Sequence, residues 1–413
     1  MRCPDCGNTL DTRTAESACP QCGGLLAVQH DPALRGVELR ARFDERAATA
    51  GRTVCAAERS GVWRFRELVL DASAAEIVSH PEGNTPVIAR DAVAAYTGVE
   101  GLLLKHEGHN PTGSFKDRGM TVALTQARRI GARAVACAST GNTSASLSAY
   151  AAQAGIPAFV FVPAGRVSAG KLAQTVAYGA RTLQITGDFD DCLRLAREAS
   201  DRLGVYLVNS VNPFRIEGQK TIMLELLQQL EWNAPDWIAL PAGNLGNTSA
   251  FGKALAEAHA LGLIDRVPRL LAVQAAGAAP FAQAYADHFA RRISVRAETR
   301  ATAIRIGDPA SWDRAVRAIT ATNGVVESVT DAEIFAAKAV IDHCGVGCEP
   351  ASAASVAGVR ALAARGVIRR DERVIAVLTG HLLKDPGGGE TIRDTEPLTA
   401  AAALALLEQV VRA

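Results

Sequence analysis

Residues 110–118 read Asn-Pro-Thr-Gly-Ser-Phe-Lys-Asp-Arg, and this stretch puts one lysine, Lys116, at the junction between two different patterns. A run typical of a strand precedes it at residues 101–105, and apolar residues with helical spacing follow at residues 120–129. An ammonium group is disfavoured near the positive end of a helix, and burial lowers its pKa further. The junction therefore predicts a partly neutral, nucleophilic amine of the kind that forms imines. The alternative for an isolated lysine is a solvated side chain at a helix start.

Outward from this junction, strand-like and helix-like segments alternate along the chain. The strand-like runs lie at residues 102–105, 134–138, 158–162, 182–185, 206–209, 237–240, 270–273 and 374–378. Strands that alternate with helices predict an α/β fold, with parallel sheets covered by helices on both faces. Residues 31–71 are more charged, and they predict an arm of short helices with an extended strand around residues 63–69.

Composition limits the possible classes of protein. The 413 residues are 48% hydrophobic and 21% charged with a net charge of +1, which excludes a disordered chain and a basic nucleic-acid-binding surface. The length is sufficient for two domains. Residues 1–29 show no signal pattern, and no apolar run reaches membrane-spanning length. We therefore expect a cytoplasmic protein that binds neither membranes nor nucleic acid.

Four of the nine cysteines form two Cys-x-x-Cys pairs near the start of the chain, and each pair is followed by a glycine. This spacing predicts a zinc ribbon, with Zn²⁺ bound by Cys3, Cys6, Cys19 and Cys22. Four thiolates leave no open coordination position, so the predicted metal is structural. The alternative is two disulfides in a secreted domain, which conflicts with the missing signal pattern.

Two segments rich in small and polar residues follow strand-like runs, where open parallel sheets bind ligands. Residues 139–144 and residues 243–248 both combine such residues with a following helix. Backbone amides at a helix N-terminus bind anions, and two glycines let the backbone approach a phosphate. A plain helix cap is the alternative for the first segment, and a generic glycine-rich turn is the alternative for the second.

Two further segments carry candidate ligand-binding groups. Residues 209–215 combine Asn209, Ser210 and Arg215, which can bind a second anion through neutral donors and a bidentate guanidinium. Thr379 leaves the last strand-like run and offers a hydroxyl. The alternatives are a solvated arginine and a capping threonine.

Together these motifs resemble the threonine synthases, which are pyridoxal-phosphate (PLP) enzymes of fold type II. The likeness extends over residues 82–386, and the motifs occur in the family's order. The motifs are PTGSFKDR at 111–118, STGN at 139–142, NSVNPFR at 209–215, GNLGN at 243–247, EPAS at 349–352 and LTGH at 378–381. Several members of this family also begin with a zinc ribbon, which accounts for the cysteines.

The resemblance implies a role for each matching residue. Lys116 binds the cofactor as an imine and serves as acid and base, Asn142 contacts the pyridoxal 3′-oxygen, and Thr379 faces the pyridine nitrogen. The cofactor phosphate is bound by Gly243, Asn244, Leu245, Gly246, Asn247 and Thr248. The substrate phosphate is bound by Ser139, Thr140, Thr143, Asn209, Ser210 and Arg215.

The implied reaction converts O-phospho-L-homoserine and water to L-threonine and phosphate. The implied fold is the tryptophan-synthase-β-like one, with two parallel-sheet α/β/α domains and a small zinc ribbon, in a homodimer. The expected divisions are a ribbon at 1–28, an arm at 29–80, a large PLP domain at 81–110 and 211–395, a small domain at 111–210, and a C-terminal helix at 396–413.

Two other functions stay open at the level of sequence. A PLP enzyme that replaces the β substituent of another phosphorylated amino acid, such as a cysteate synthase acting on O-phosphoserine, could share every motif. The other is a zinc-ribbon binding or scaffold protein on a silent enzyme fold. Visible absorbance of a bound PLP imine would separate the enzymes from the scaffold protein.

Overall fold

The computed structural model describes residues 1–165 and 169–385, and within these ranges the strands form two separate sheets. The strands are β1 (Val87–Ala89), β2 (Gly101–His106), β3 (Val135–Ala138), β4 (Ala158–Pro163), β5 (Arg181–Ile185), β6 (Tyr206–Leu207), β7 (Trp237–Pro241), β8 (Arg269–Ala275), β9 (Val325–Val329) and β10 (Arg373–Leu378).

Helices connect most of these strands and cover both sheets. They are α1 (Gly36–Thr49), α2 (Ala56–Arg59), α3 (Asp91–Thr97), α4 (Lys116–Arg129), α5 (Asn142–Ala154), α6 (Ala169–Ala177), α7 (Phe189–Leu203), α8 (Pro213–Gln229), α9 (Gly246–Ala260), α10 (Pro280–Ala286), α11 (Trp312–Ala321), α12 (Asp331–His343) and α13 (Pro350–Ala364). Short 3₁₀ helices lie at Ala50–Arg52, Trp63–Leu68, Glu107–His109, Ala276–Ala278, Thr302–Ile304 and Leu382–Lys384.

The larger sheet has the strand order β1-β2-β10-β7-β8-β9, and the smaller sheet has the order β5-β4-β3-β6. All neighbouring strands are parallel except β1 and β2. Every residue of β7 is buried, as expected for a parallel strand covered on both faces. The predicted α/β fold with parallel sheets is therefore confirmed, and each of the eight predicted strand-like runs contains a strand.

The strand predicted around residues 63–69 is wrong, because Trp63–Leu68 is a 3₁₀ helix. Apolar and charged residues alternate over residues 63–66, which imitates the period of a strand. The Ser60 hydroxyl instead accepts hydrogen bonds from the amides of Val62 and Trp63, and so supports a helical turn. Arg64 is buried as well and lies 3.6 Å from Glu225, so the alternation does not mark a polar face.

The N-terminal ribbon consists of short bridged turns that pack on the main hydrophobic cluster. Arg2 bridges Thr9 and Ala27, and Ala18 bridges Leu25. The side chains that reach the cluster are Met1, Cys3, Cys19, Leu26 and Val28. Two cations fix the end of the ribbon, since Lys253 of α9 donates to the Val28 carbonyl over 2.7 Å and Arg314 of α11 donates to the Leu26 carbonyl.

Within residues 1–165 and 169–385, no helix has the length and apolar character needed to cross a membrane. The C-terminal helix expected at 396–413 lies outside the described residues.

Candidate active site

A cavity of about 780 Å³ lies where strands of both sheets end. The residues just after β3, β6, β7 and β10 line it, as expected at the carboxyl edge of open parallel sheets. The structure therefore brings almost all of the predicted site residues to one place. Those that line the cavity are Lys116, Ser139, Thr140, Asn142, Thr143, Asn209, Ser210, Arg215, Gly243, Asn244, Leu245, Gly246, Asn247 and Thr379.

Lys116 is the first residue of α4, as the sequence pattern predicts. The loop before it is held against the end of β10, because the Phe115 amide donates to the Thr379 carbonyl over 3.0 Å. The pKa of Lys116 is lowered to about 7, mainly by burial and also by the nearby Arg215 cation, while Glu349 opposes the shift. A large fraction of this amine is therefore neutral and nucleophilic near pH 7.

Hydrogen bonds of the two following residues fix the position of Lys116. The Asp117 carboxylate accepts from the Thr112 hydroxyl and from the Ser146 hydroxyl, each over 2.6 Å. Arg118 pairs with Glu107 and Glu225, each over 2.7 Å, and all three side chains are fully buried. A buried cation with two carboxylates is costly to break, so it fixes the first turn of α4.

Residues 243–247 form a tight loop that runs into the first turn of α9. Leu245 has a left-handed backbone with φ of 61°, and α9 begins at Gly246. A side chain at Gly243 would press on the Ile304 backbone, with its Cβ 2.9 Å from Cα. Amides at this helix start are available to an anion.

Thr248 takes a different position from the rest of this loop. It is fully buried behind the loop and does not line the cavity wall. Its hydroxyl has no hydrogen-bond partner in the described part of the protein, and neither does the Asn247 side-chain oxygen. Because buried polar atoms are normally paired, both atoms indicate that a ligand completes this site.

Arg215 presents unpaired donors to the same cavity. Its side chain is only 1% exposed, and Nη1 donates to the Val208 carbonyl over 3.1 Å. Within the described residues Nε and Nη2 have no partner, and burial lowers the Arg215 pKa to about 10. A buried guanidinium with two free nitrogens is well suited to bind an anion.

The predicted Asn209 and Ser210 differ in their availability. Asn209 exchanges two hydrogen bonds with the Ala138 backbone, 3.1 Å to the amide and 3.2 Å to the carbonyl, so its side chain already joins β3 to the loop after β6. Ser210 accepts a 2.6 Å hydrogen bond from Asn244. That contact connects the two predicted anion sites directly.

The sequence matches the family described as pyridoxal-phosphate dependent enzyme over residues 78–380, which is more than half of the chain. The chain belongs to this family. It is 41% identical to a threonine synthase of Methanocaldococcus jannaschii, over 100% of this chain and 99% of the relative. It is 45% identical to a threonine synthase of Methanosarcina acetivorans over 94% and 92%, and 52% identical to one of Mycobacterium leprae over 74% and 83%. These relatives place the chain among the threonine synthases of the family.

Solved structures agree on the fold. The crystal structure of threonine synthase from Escherichia coli matches with a TM-score of 0.70 at 19% identity, over 96% of this chain and 91% of that chain. A threonine deaminase from Solanum lycopersicum matches with a TM-score of 0.64 at 17% identity, over 93% and 96%. The predicted fold type II architecture is confirmed.

The residues present fit the cofactor of this family. PLP needs an amine for its aldehyde and an anion site for its phosphate, and the cavity offers both in Lys116 and the loop at 243–247 with Thr248 behind it. When bound, PLP supplies an electron sink that stabilises negative charge on substrate carbons.

Glu349 and Lys384 are two of the other groups that line the cavity, and sequence reasoning assigned neither of them a role. Glu349 precedes Pro350 at the start of α13, a common place for a helix cap, yet its side chain makes no capping bond. Lys384 donates to the Thr112 carbonyl over 3.1 Å and to the Gln174 side chain, so it joins the end of the larger sheet to α6. The motif at 349–352 was a signal for Glu349, whereas no motif pointed to Lys384.

The four ribbon cysteines meet at one point, with all four Sγ atoms within 4.8 Å of one another. The Sγ atoms of Cys3 and Cys22 are 3.5 Å apart, and those of Cys6 and Cys19 are 3.7 Å apart. Tetrahedral zinc with bonds of about 2.3 Å requires a separation of about 3.8 Å, so the cluster fits a structural Zn²⁺. A hydrogen bond from Asn8 lowers the pKa of Cys19 to about 6, which favours the thiolate that binds metal.

Proposed function

We propose that this protein is a PLP-dependent lyase that converts O-phospho-L-homoserine and water to L-threonine and phosphate. The observation that carries the proposal is Arg215, a buried cation with two unpaired nitrogens in the same cavity as the Lys116 amine. An enzyme that acts on a phosphate ester needs an anion site separate from that of its cofactor. The relatives named threonine synthase support the same reaction.

We assign the chemistry to Lys116. Its Nζ would hold the cofactor through the aldehyde, and the free amine would move protons at the substrate α carbon. A pKa of about 7 suits both tasks, because the amine must accept and return protons near neutral pH. The Asp117 and Arg118 contacts hold the amine at the start of α4.

The cofactor contacts are assigned by position in the cavity. The amides of residues 243–247 and the Thr248 hydroxyl bind the cofactor phosphate, and Asn142 and Thr379 contact its ring. Because Thr379 is a neutral hydroxyl, it does not hold a proton on the ring nitrogen as a carboxylate would. The assignment leaves the ring a weaker electron sink.

The substrate phosphate is assigned to the side of the cavity that contains Arg215. The guanidinium binds it through Nε and Nη2, and the remaining contacts come from Ser139, Thr140, Thr143, Asn209 and Ser210. The smaller sheet and its helices, residues 111–210, act in this proposal as a small domain that closes on the large domain, residues 81–110 and 211–395. Closure would exclude water that diverts reactive intermediates. The ribbon at 1–28, the arm at 29–80, the homodimer and the cytoplasmic location remain predictions.

A pair of Arg215 variants tests the substrate assignment. Arg215→Ala should raise KM for O-phospho-L-homoserine by roughly 10- to 100-fold, because a hydrogen-bonded charge pair is lost. The dissociation constant of PLP should change by less than about threefold. Arg215→Lys keeps the charge but loses the two-nitrogen fork, so its KM should lie between those of wild type and Arg215→Ala.

The same assay examines the alternative substrate. Turnover of O-phospho-L-serine with a sulfur nucleophile, and none of O-phospho-L-homoserine, would favour the β-replacement enzyme. If Arg215→Ala mainly weakened PLP binding, Arg215 would belong to the cofactor site.

A further inference from the structure

Glu349 is a buried carboxyl in the cavity that the proposed chemistry does not use. It is 3% exposed and forms no ion pair among the described residues. Burial of an unpaired carboxylate is unfavourable, so its hydrogen bonds determine why it is tolerated there. Both of its side-chain partners are residues assigned to the cofactor ring.

The Glu349 carboxyl spans the cleft between the two sheets. Its Oε2 accepts from Nδ2 of Asn142, the first residue of α5, over 2.9 Å. Its Oε1 accepts from the Thr379 hydroxyl after β10 over 3.3 Å. The Glu349 amide donates to the Gly380 carbonyl over 3.1 Å, and a side chain at Gly380 would overlap the carboxyl. The carboxyl is therefore fixed between its two partners.

We propose that Glu349 is a positioning residue for the cofactor: its carboxyl sets the orientation of the Asn142 amide and the direction in which Thr379 donates its proton. The proposal rests on the ring contacts assigned to Asn142 and Thr379 in the proposed function. It adds a residue that acts through both of them at once.

The effect on Asn142 follows from the donors available. The Oε2 atom of Glu349 accepts the hydrogen bond, so the amide nitrogen of Asn142 faces Glu349. That nitrogen has a second hydrogen, which remains free to donate to an anionic oxygen such as the pyridoxal 3′-oxygen. Without Glu349 the amide could rotate and present its own oxygen instead, which would repel that anion.

The effect on Thr379 depends on the proton of Glu349. When Glu349 is ionised, Thr379 gives its only proton to Oε1 and can then only accept a hydrogen bond from a protonated ring nitrogen. When Glu349 is protonated, its own proton can form the hydrogen bond between Oε1 and the Thr379 oxygen. The Thr379 hydroxyl is then free to donate to an unprotonated ring nitrogen. Ser352, 3.0 Å from the Thr379 oxygen, is the other partner of this hydroxyl.

The surroundings of Glu349 act on its pKa in both directions, and the net effect is a raised pKa. Burial raises its pKa above the usual range, whereas the charges of Lys116 and Lys384 and the Asn142 and Thr379 hydrogen bonds lower it. Cys348 is the neighbouring titratable group, and burial raises the pKa of its thiol, which leaves that thiol neutral.

Spectra of the PLP-bound protein test this proposal without any substrate. The visible absorption would be recorded from pH 5.5 to 9, and PLP dissociation would be measured for wild type and for Glu349→Gln, Glu349→Ala and Glu349→Asp. Glu349→Gln retains an acceptor for Asn142 and a donor for Thr379, so PLP affinity should stay within about threefold of wild type. Its spectrum should change less with pH, because one titrating group is gone.

The shortened variants should lose the bridge. Glu349→Ala should raise the PLP dissociation constant by about 10- to 100-fold, since two hydrogen bonds to the ring ligands are lost. Glu349→Asp is one carbon too short to reach both partners and should behave like Glu349→Ala. Glu327→Gln, at the far edge of the larger sheet, is the control for a glutamate-to-glutamine change and should match wild type.

A double-mutant cycle separates positioning from general stability. Asn142→Ala combined with Glu349→Ala should cost less than the sum of the single changes, because both break the same bridge. Additive losses, or a Glu349→Ala protein with wild-type PLP affinity and pH-dependent spectrum, would overturn the proposal. If Glu349→Ala does not fold, equal PLP affinities and equal pH-dependent spectra of Glu349→Asp, Glu349→Gln and wild type would overturn the proposal. Failure of the proposed threonine-forming reaction would leave these spectra unaffected.

Discussion

The amine of Lys116 acquires its reactivity from its neighbours. Sequence reasoning predicted a lowered pKa from a helix start and from burial, and the structure adds a third cause, the Arg215 cation in the same cavity. The group that binds substrate in the proposed function therefore also influences the group that binds the cofactor. Glu349 opposes that influence from the other side of the cleft.

This arrangement predicts how cofactor uptake depends on pH. Because Lys116 is a base whose pKa is lowered to about 7, the neutral fraction rises as pH increases through 7, and the rate of imine formation by apoprotein should rise with it. Arg215→Ala removes a neighbouring cation and should move the midpoint to higher pH, whereas Arg215→Lys should leave it nearly in place. Stopped-flow absorbance would measure both midpoints. A midpoint near 10 in wild type would contradict the account.

The unpaired hydroxyl of Thr248 provides a second prediction at this scale. Thr248→Val removes a hydroxyl that has no partner in the described protein, so the apoprotein should keep its stability while PLP binds about tenfold more weakly. The matched control is Thr221→Val, because the buried Thr221 hydroxyl donates to the Gly218 carbonyl over 2.6 Å.

The control should show the opposite pattern. Thr221→Val should lower the free energy of unfolding of the apoprotein by about 1–2 kcal/mol, and it removes no ligand contact. Chemical denaturation and PLP titration would measure the two effects. Loss of apoprotein stability in Thr248→Val, with PLP affinity unchanged, would show that its hydroxyl has a structural role.

At the scale of elements, the close packing of α4 and α8 sets the geometry of the site. These helices carry Lys116 and Arg215 in their first turns. They approach closely at two glycines, since a Cβ at Gly218 would overlap the Arg118 carbonyl and lie 2.8 Å from Cα of Gly119. The distance between the amine and the guanidinium therefore depends on two residues that contact neither ligand.

Gly218→Ala tests this dependence. The added methyl should force the helices apart and lower the free energy of unfolding by about 1–3 kcal/mol, and PLP uptake should slow as Lys116 moves. Gly51→Ala is the control, because a Cβ at Gly51 meets no atom within 4 Å and the change should stay within about 0.5 kcal/mol. Denaturant unfolding would report both. Equal stability of the two variants would refute the close-packing argument.

Elements also show where sequence reasoning succeeds. Long apolar runs bounded by turn residues predicted eight strands, because a buried parallel strand is apolar on both faces. The two missed strands, β1 and β9, lie at the edges of the larger sheet. β1 has only three residues, and β9 contains a glutamate and a serine, so neither forms a long apolar run. The motifs placed most of the cavity lining correctly, since each directly follows a strand. The Glu349 bridge and the Arg118 cluster were not predictable, because each depends on a contact between residues over 100 positions apart.

At the scale of the whole molecule, the ribbon is attached to the helices that build the site. His30, just beyond it, contacts Glu217 of α8 over 2.7 Å, and Gln126 of α4 donates to the Thr12 carbonyl over 2.7 Å. With Lys253 of α9, these contacts reach three of the helices whose first turns line the cavity. The ribbon and the residues just beyond it thus contact α4 near its C-terminal end, α8 near its N-terminal end and α9 near its middle.

Metal removal should therefore affect more than the ribbon. Chelation of Zn²⁺, or Cys19→Ser, should lower Tm by a few degrees, because a structural zinc site contributes directly to folding free energy. Cys55→Ser, at an exposed cysteine outside the ribbon, should leave Tm unchanged. Calorimetry with metal analysis would measure both. A protein that contains no metal, or keeps its Tm after chelation, would contradict the zinc assignment.

The measurement that tests the central claim most directly is the release of phosphate and threonine from O-phospho-L-homoserine by the purified PLP-bound protein, with Lys116→Ala as control. The account predicts equal amounts of both products from wild type and neither from the variant. A PLP imine without turnover would contradict the proposed reaction, although the fold and cofactor would stand.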